Sequence, residues 1–524
     1  MSFHATRVCL LPASIVRILV VALSLGVLFV GVALQVGCAA ALGPGFGFAS
    51  RQIDISPSDS VSLHVRVTDR LVNAGNRSLA FLDVNLPAKV DAEQDHLAIR
   101  VDDHAAHTSS LGRDAPVRIT FDPPWKIGER RTIVTEYDLQ PGNSGRGIVA
   151  DAPNGFDIAD REMFPAWAAP YGIFATGDSR ARIEYTEITA PPDFRVLGAG
   201  RRGRASRDGT STTHRFSAKR VDASAYAIAG RFEERRVETR DGPVIFWTFQ
   251  SLDAKQAQTA ANRLAAAAAT YRDLFGRVPK SFGPIRVVEM PANETAATLA
   301  EARAESRAAS SQPNSRDGDV GIGSGVGAAS FPQGVLLDEH LMAQGVDSEP
   351  VLERAEYELA RTWIGWYAKP SAESQILLGR GMSLYAMTRA EAVHGGDAAR
   401  TAAVTRLLAD YESARTRAQD GPLINLPPDA TLERQSTNVY KSALFLVALE
   451  DSAGRGNFDG AVRRILRATT GEEIDVDELR SALEAATGRD FAELFRLWLN
   501  RPGIPGDFQQ RYAAAGVSAA IVGR

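Results

Sequence analysis

The chain has 524 residues, a net charge of −4 and only two cysteines, Cys9 and Cys38. That length exceeds one ordinary hydrophobic core, so roughly two to four domains are expected. The charge excludes an electrostatic footprint for nucleic acid, and the cysteine pattern excludes disulfides, thiol catalysis and cysteine metal sites beyond residue 38.

Residues 1–41 do not read as part of a globular fold. Arg7 and Arg17 precede an apolar run over 18–36, which ends in Gly37-Cys38-Ala39-Ala40-Ala41. A charged flank, an apolar stretch and small residues make an export signal. The run is also long enough for a retained membrane anchor. Cys38 is a lipidation candidate, with Gln35 standing where such a site prefers Leu. A cleaved signal, a lipoprotein and an anchor all remain open. Each implies an exported protein, periplasmic or held at the membrane through this segment only. Residues 42–52 read as a Gly-rich linker.

From Ile53 the period becomes two. Val61, Leu63, Val65 and Val67 alternate with polar residues, the pattern of a half-buried strand. Further strands are expected at 78–86, 96–101, 117–121, 131–139, 182–189, 213–218 and 226–237. Turn residues such as Asn73-Ala74-Gly75-Asn76 and Pro191-Pro192-Asp193 separate them. The spacing predicts an antiparallel β-sandwich over 53–240.

A second regime covers 241–510. A strand over 244–249 precedes an Ala-rich helix over 253–275, with Gly276 as its C-cap, and a buried strand over 285–290. Residues 292–319 are polar and without clear period, and alternating glycines follow at 321–327. From 349 to 503 the chain is mainly helical. The half is organised around 352–385. Leu352, Ala355, Leu359, Thr362, Trp363 and Trp366 form one helical stripe. Glu353, Arg354, Glu356 and Arg361 read as exposed or flanking. Pro370 ends that helix or soon follows its end, and an apolar run over 376–387 carries the chain back. Residues 511–524 read as a tail.

Other chemistries find little support. His104 and His107 lie near Asp102 and Asp103 in a turn, and His340 and His394 are far apart. Ser324 sits among glycines without the spacing of a nucleophile elbow. No phosphate-binding loop is present.

Several stretches carry a resemblance. Met163-Phe164-Pro165-Ala166-Trp167, Val196-Leu197-Gly198-Ala199-Gly200, Tyr226-Ala227-Ile228-Ala229-Gly230 and Tyr271-Arg272-Asp273-Leu274-Phe275-Gly276 occur in order. So do Trp363-Ile364-Gly365, Gly381 with Leu384 and Tyr385, and a closing set of Trp498, Pro502, Gly503 and Pro505. In this order the chain resembles the zinc aminopeptidases of the membrane alanyl aminopeptidase and leukotriene hydrolase type, a gluzincin metallopeptidase family, over about Ile53 to Pro505. The resemblance implies an N-terminal antiparallel β-sandwich followed by a thermolysin-like, mainly helical domain with a small β-sheet.

The same resemblance makes the missing chemistry informative. The family's zinc helix reads H-E-x-x-H; here Tyr357-Glu358-Leu359-Ala360-Arg361 stands in its place. Arg380 stands where the third ligand belongs, with eighteen residues between it and Arg361. A phenol is a poor ligand at neutral pH, and a guanidinium offers no lone pair. Glu358, the family's general base, alone survives, and without a metal there is no activated water for it to deprotonate. The loop that binds the substrate amine in the family reads Gly327 to Gly334 here and holds no carboxylate. Phe331 in that loop and Tyr440, one residue from the family's transition-state Tyr, are candidate cleft residues. An ion pair of Glu358 with Arg380 or Arg361 is expected to join the helices in place of the metal, with Arg380 the preferred partner. No cofactor is expected. The implied function is a non-catalytic aminopeptidase-like protein binding a peptide or protein in the old cleft, where Arg361 and Arg380 suit a carboxylate. The alternative is an active aminopeptidase-type hydrolase with zinc or a metal-free site.

Overall fold

The structure is a computed structural model. It describes residues 46–512 apart from 58–61, 76, 87–96, 111–115, 140–147, 152–154, 159–163, 169–182, 218–225, 278–282, 291–326, 372, 394–395, 419, 425–431 and 469–472. The 1–41 segment with Cys38, the polar 292–319 stretch, Ser324 and His394 lie outside the described residues.

The first domain stacks β-sheets around two apolar clusters. Its largest sheet is built on Gly47–Pro57, Leu63–Val72 and Arg130–Leu139, paired antiparallel in that order. Leu63–Val72 buries every second side chain, as its alternating sequence demands. Smaller sheets cover the two ends of its inner face, one around Leu79–Asn85 and Val117–Trp125, the other around Ala227–Gly230. The expected sandwich is present, with two corrections. Gly47–Pro57 is a strand, so the linker expected over 42–52 overlaps the first sheet. That strand also pairs in parallel with Ile183–Ala190, so the sheet is not antiparallel throughout. The Arg51 guanidinium, 1% exposed, is held by Asp69 at 2.7 and 2.9 Å, and the Trp167 indole N–H donates to the same carboxylate at 2.7 Å. A buried charge needs such complete pairing.

The chain leaves the first domain earlier than the sequence suggests. The strand expected over 226–237 is two strands, Ala227–Gly230 in the sandwich and Glu233–Val237 in the next sheet. Between them Phe232 stacks on Trp247 at 5.6 Å and Phe249 at 5.1 Å. A shared cluster joins the two halves: Leu197, Tyr226 and Ile228 from one side, Val288, Phe331 and Trp366 from the other.

The second sheet runs in the order Glu233–Val237, Val244–Thr248, Ile285–Met290, Gly334–Asp338, Ala328–Phe331. Its three central strands are parallel, and both edges are antiparallel. Helices build the rest: α1 (Ala254–Phe275), α2 (Glu339–Met342), α3 (Glu349–Ala360), α4 (Met382–Val393), α5 (Gly396–Arg417), α6 (Leu432–Ala453), α7 (Arg455–Ala468), α8 (Val476–Thr487) and α9 (Ala492–Leu499). Asp253 caps α1 through Lys255 and Gln256 N–H groups. Pro350 opens α3, where its missing N–H costs nothing. Among the described residues no helix is long and apolar enough to cross a membrane. The expected tail starts too early, because Tyr512 is buried and its hydroxyl donates to Asp451 at 2.7 Å.

Between α3 and α4 the segment Gln375–Gly381 winds as a π-helix, the wider turn that often marks functional positions. It lies directly on α6. At Gly381 a side chain would have its Cβ 2.3 Å from Ser442 Cβ. Only glycine permits this approach, and the approach brings Arg380 to Gln435 on α6. Gly381→Ala is therefore expected to cost about 1–3 kcal/mol through overpacking, read as a lower denaturant midpoint, and Ser442→Gly is expected to recover most of the loss. An unchanged midpoint for Gly381→Ala would contradict the contact.

Candidate functional site

The site grows from α3. The helix buries Val351, Leu352, Ala355 and then every residue from Glu356 to Ala360. Its stripe is wider than the sequence suggests, and Glu356 lies inside it rather than on a flank. The Glu356 carboxylate is 3% exposed and receives Arg263 of α1 at 2.9 and 3.0 Å. Burial raises its pKa, and the Arg263 guanidinium opposes the shift. The Tyr271 hydroxyl of α1 donates to the Glu356 carbonyl at 3.0 Å. These bonds clamp α3 to α1 and fix the angle at which Tyr357 and Glu358 enter the interior.

Past the helix the chain is held from two sides. The Trp363 indole N–H donates to the Gly276 carbonyl at 2.9 Å, at the end of α1. The Trp366 indole N–H donates to the Ser330 carbonyl at 2.9 Å, on the edge strand. The stretch from Trp363 to Trp366 thus ties the end of α3 both to α1 and to the edge strand.

Tyr357, Glu358, Arg361 and Arg380 do come together. Glu358 is fully buried, and its Oε2 accepts from Arg361 Nη1 at 3.2 Å. Its Oε1 is buried without a hydrogen-bond partner among the described residues. The Tyr357 hydroxyl is buried and equally unpartnered there. Burial pushes the Tyr357 phenol up to about 12, against the opposing pull of Arg361 and, more weakly, Arg380 and Arg354. It is protonated and neutral at physiological pH.

The expected Glu358–Arg380 clamp is not what forms. Glu358 pairs with Arg361, three residues on and on the same face of the same chain segment. Arg380, displaced by the π-helical turn, donates instead to Gln435 Oε1 of α6 at 3.1 Å. The clamp between α3 and its neighbour is Arg263–Glu356, with α1 rather than with the following helix.

The other expected residues are placed differently. Phe331 is fully buried and packs its ring 5.7 Å from Tyr226, so it belongs to the interdomain core and does not line a cleft. Tyr440 is 4% exposed within α6. Its neighbour Lys441 is fully buried against Asp420 at 3.0 Å, an anchor the sequence did not reveal. His104 and His107 are exposed, with no metal cluster around them. Among the described residues no three His, Cys, Asp or Glu side chains gather as metal donors.

This donor set does not fit a zinc ion. A neutral phenol and two guanidiniums supply no anionic or imidazole nitrogen donor, and the guanidiniums repel a dication. Glu358 alone offers anionic oxygen donors, and one of them already carries Arg361.

No protein-family model matches the chain, and no curated protein does. Solved structures match over most of its length. An M1 zinc metallopeptidase from Deinococcus radiodurans aligns at a TM-score of 0.59 and 15% identity, covering 88% of this chain and 95% of that one. A mutant of that enzyme bound to a Tyr-Ser-Ala substrate gives the same values. A two-domain M1 zinc metallopeptidase mutant bound to L-arginine aligns at 0.58 and 15%, over 88% and 95%. The chain has the M1 metallopeptidase fold. At this identity the likeness carries architecture alone, and the chemistry rests on the side chains present.

Burying the Tyr357 hydroxyl unpaired carries a desolvation cost of about 1–3 kcal/mol. Tyr357→Phe is expected to leave stability unchanged or raise it by about 1 kcal/mol, measured by denaturant unfolding. A clear loss would show that the hydroxyl has a partner.

Proposed function

We propose that this chain is a non-catalytic aminopeptidase-like protein of the cell envelope, which binds a peptide or protein segment in a degenerate peptidase cleft. The observation that carries the reading is the contact between Arg361 and Glu358 at 3.2 Å. A permanent cation occupies the carboxylate that would serve as general base, from a position where the fold's enzymes place a metal ligand. Tyr357 and Arg380 complete the replacement. A general base needs a water of lowered pKa to deprotonate, and this cluster supplies nothing that lowers one.

The export signal read over 18–36 supports placement in the envelope, anchored or periplasmic. The half-buried Arg361 and Arg380 favour a carboxylate on the ligand, since a guanidinium takes one bidentately. The fold's architecture supports an extended peptide as the occupant.

Protein purified without residues 1–41 is expected to hold no stoichiometric zinc by elemental analysis and to release no amino acid from aminoacyl-amide substrates. The triple variant Tyr357→His, Arg361→His, Arg380→Glu is expected to acquire about one zinc per chain, because the frame then presents two imidazoles and a carboxylate. Zinc in the native protein would overturn the reading. Hydrolysis that survives chelators and disappears in Glu358→Gln would replace it with a metal-free hydrolase.

A further inference from the structure

A second cluster of buried charges lies away from this site, where α4, α5, α6 and the start of α7 meet. Arg389 on α4 is 7% exposed and grips Asp459 of α7 at 2.5 and 2.6 Å. Tyr385, one turn earlier, donates its hydroxyl to Glu450 Oε2 of α6 at 2.9 Å and accepts from Arg389 at 3.2 Å. Arg400 of α5 reaches the same Glu450 Oε2 at 3.1 Å and Asp451 at 2.8 Å. Networks of this kind usually close on themselves, because an unsatisfied buried charge is costly.

This one does not close. A cavity of about 130 Å³ opens among these side chains, with Val404 and Val447 in its wall and Asp397 and Arg455 also lining it. Among the described residues, every side-chain hydrogen bond of Glu450 falls on Oε2. Its Oε1 meets only Arg455, at 3.9 Å, beyond hydrogen-bond reach. Arg455 itself is 55% exposed, and that long contact is its recorded ion pair. The cavity therefore presents an uncommitted carboxylate oxygen inside, a loosely held guanidinium beside it, and an apolar wall.

We propose that this cavity binds a small α-amino-acid zwitterion. Its ammonium group donates to Glu450 Oε1, its carboxylate takes the Arg455 guanidinium, and a short aliphatic side chain lies against Val404 and Val447. Charge complementarity fixes the class. An amine alone leaves Arg455 unused, and a carboxylate alone meets Glu450 by repulsion. A cavity of about 150 Å³ accommodates benzene, which sets the size of the aliphatic part. The site is separate from the Glu358 cluster. Arg389 follows Arg380 by nine residues on a continuous helical segment, roughly 13 Å along it at the α-helical rise.

The test is calorimetric titration of the protein lacking residues 1–41 with L-valine, isobutylamine and isobutyrate. L-valine is expected to bind saturably, at least tenfold more tightly than either half. Arg455→Gln and the cavity-filling Ala392→Leu, at another residue of the cavity wall, are each expected to weaken L-valine binding tenfold or more. Unchanged thermal unfolding of the free Arg455→Gln protein shows that it remains folded. The double variant Arg361→Gln, Arg380→Gln is expected to bind L-valine as the native protein does. Absence of binding at tens of millimolar, equal binding of isobutylamine, or loss only in the Arg361, Arg380 variant would overturn the proposal. The last result would assign the ligand to the peptidase cleft.

Discussion

The buried bond between Arg263 and Glu356 is the constraint on which the second domain turns. It joins two helices far apart in sequence and buries the Glu356 carboxylate, so that removing Arg263 would strand that charge at a cost of about 3–5 kcal/mol. With α3 held at that angle, Tyr357 and Glu358 point inward, Trp363 reaches the end of α1, and Trp366 reaches the edge strand. Protein side chains hold the frame. In a zinc peptidase the ion and its ligands join neighbouring helices; here Arg263, Tyr271 and the two indoles join α3 to what surrounds it.

That arrangement explains how three unfavourable residues are tolerated together. Tyr357 is fully buried, as a neutral phenol. Arg361 closes α3 and keeps its charge near solvent, with its side chain 26% exposed while Glu358 is fully buried. Arg380 is carried aside by the π-helical turn to Gln435. Each side chain is compatible with the packing around it.

The sequence made the architecture legible because its periods are strong. The alternation at 63–67 and the Ala-rich run over 253–275 name a strand and a helix without help from tertiary context. The order of aromatic and glycine landmarks then suggested the two-domain plan. Partners of charged residues were not legible. Glu356 looked like a flank residue because its partner, Arg263, lies 93 positions away. Spacing leaves Glu358 within reach of Arg361 and Arg380 alike, with Arg380 preferred, and a wide turn at 375–381 cannot be read from it. Phe331 was placed in a cleft by its position in a loop, whereas its ring is claimed by Tyr226 of the other domain.

That last contact has a mechanical meaning. The edge strand Ala328–Phe331 borders the peptidase frame on one side and, through Phe331 and Trp366, is wedged against the sandwich on the other. Pulling the strand outward would tear aromatic rings from a core that belongs to both domains. The position of the edge strand is thus set by the join between domains, not by the strand alone. Mutations deep in the sandwich, around Tyr226, would be felt at the edge strand without touching it.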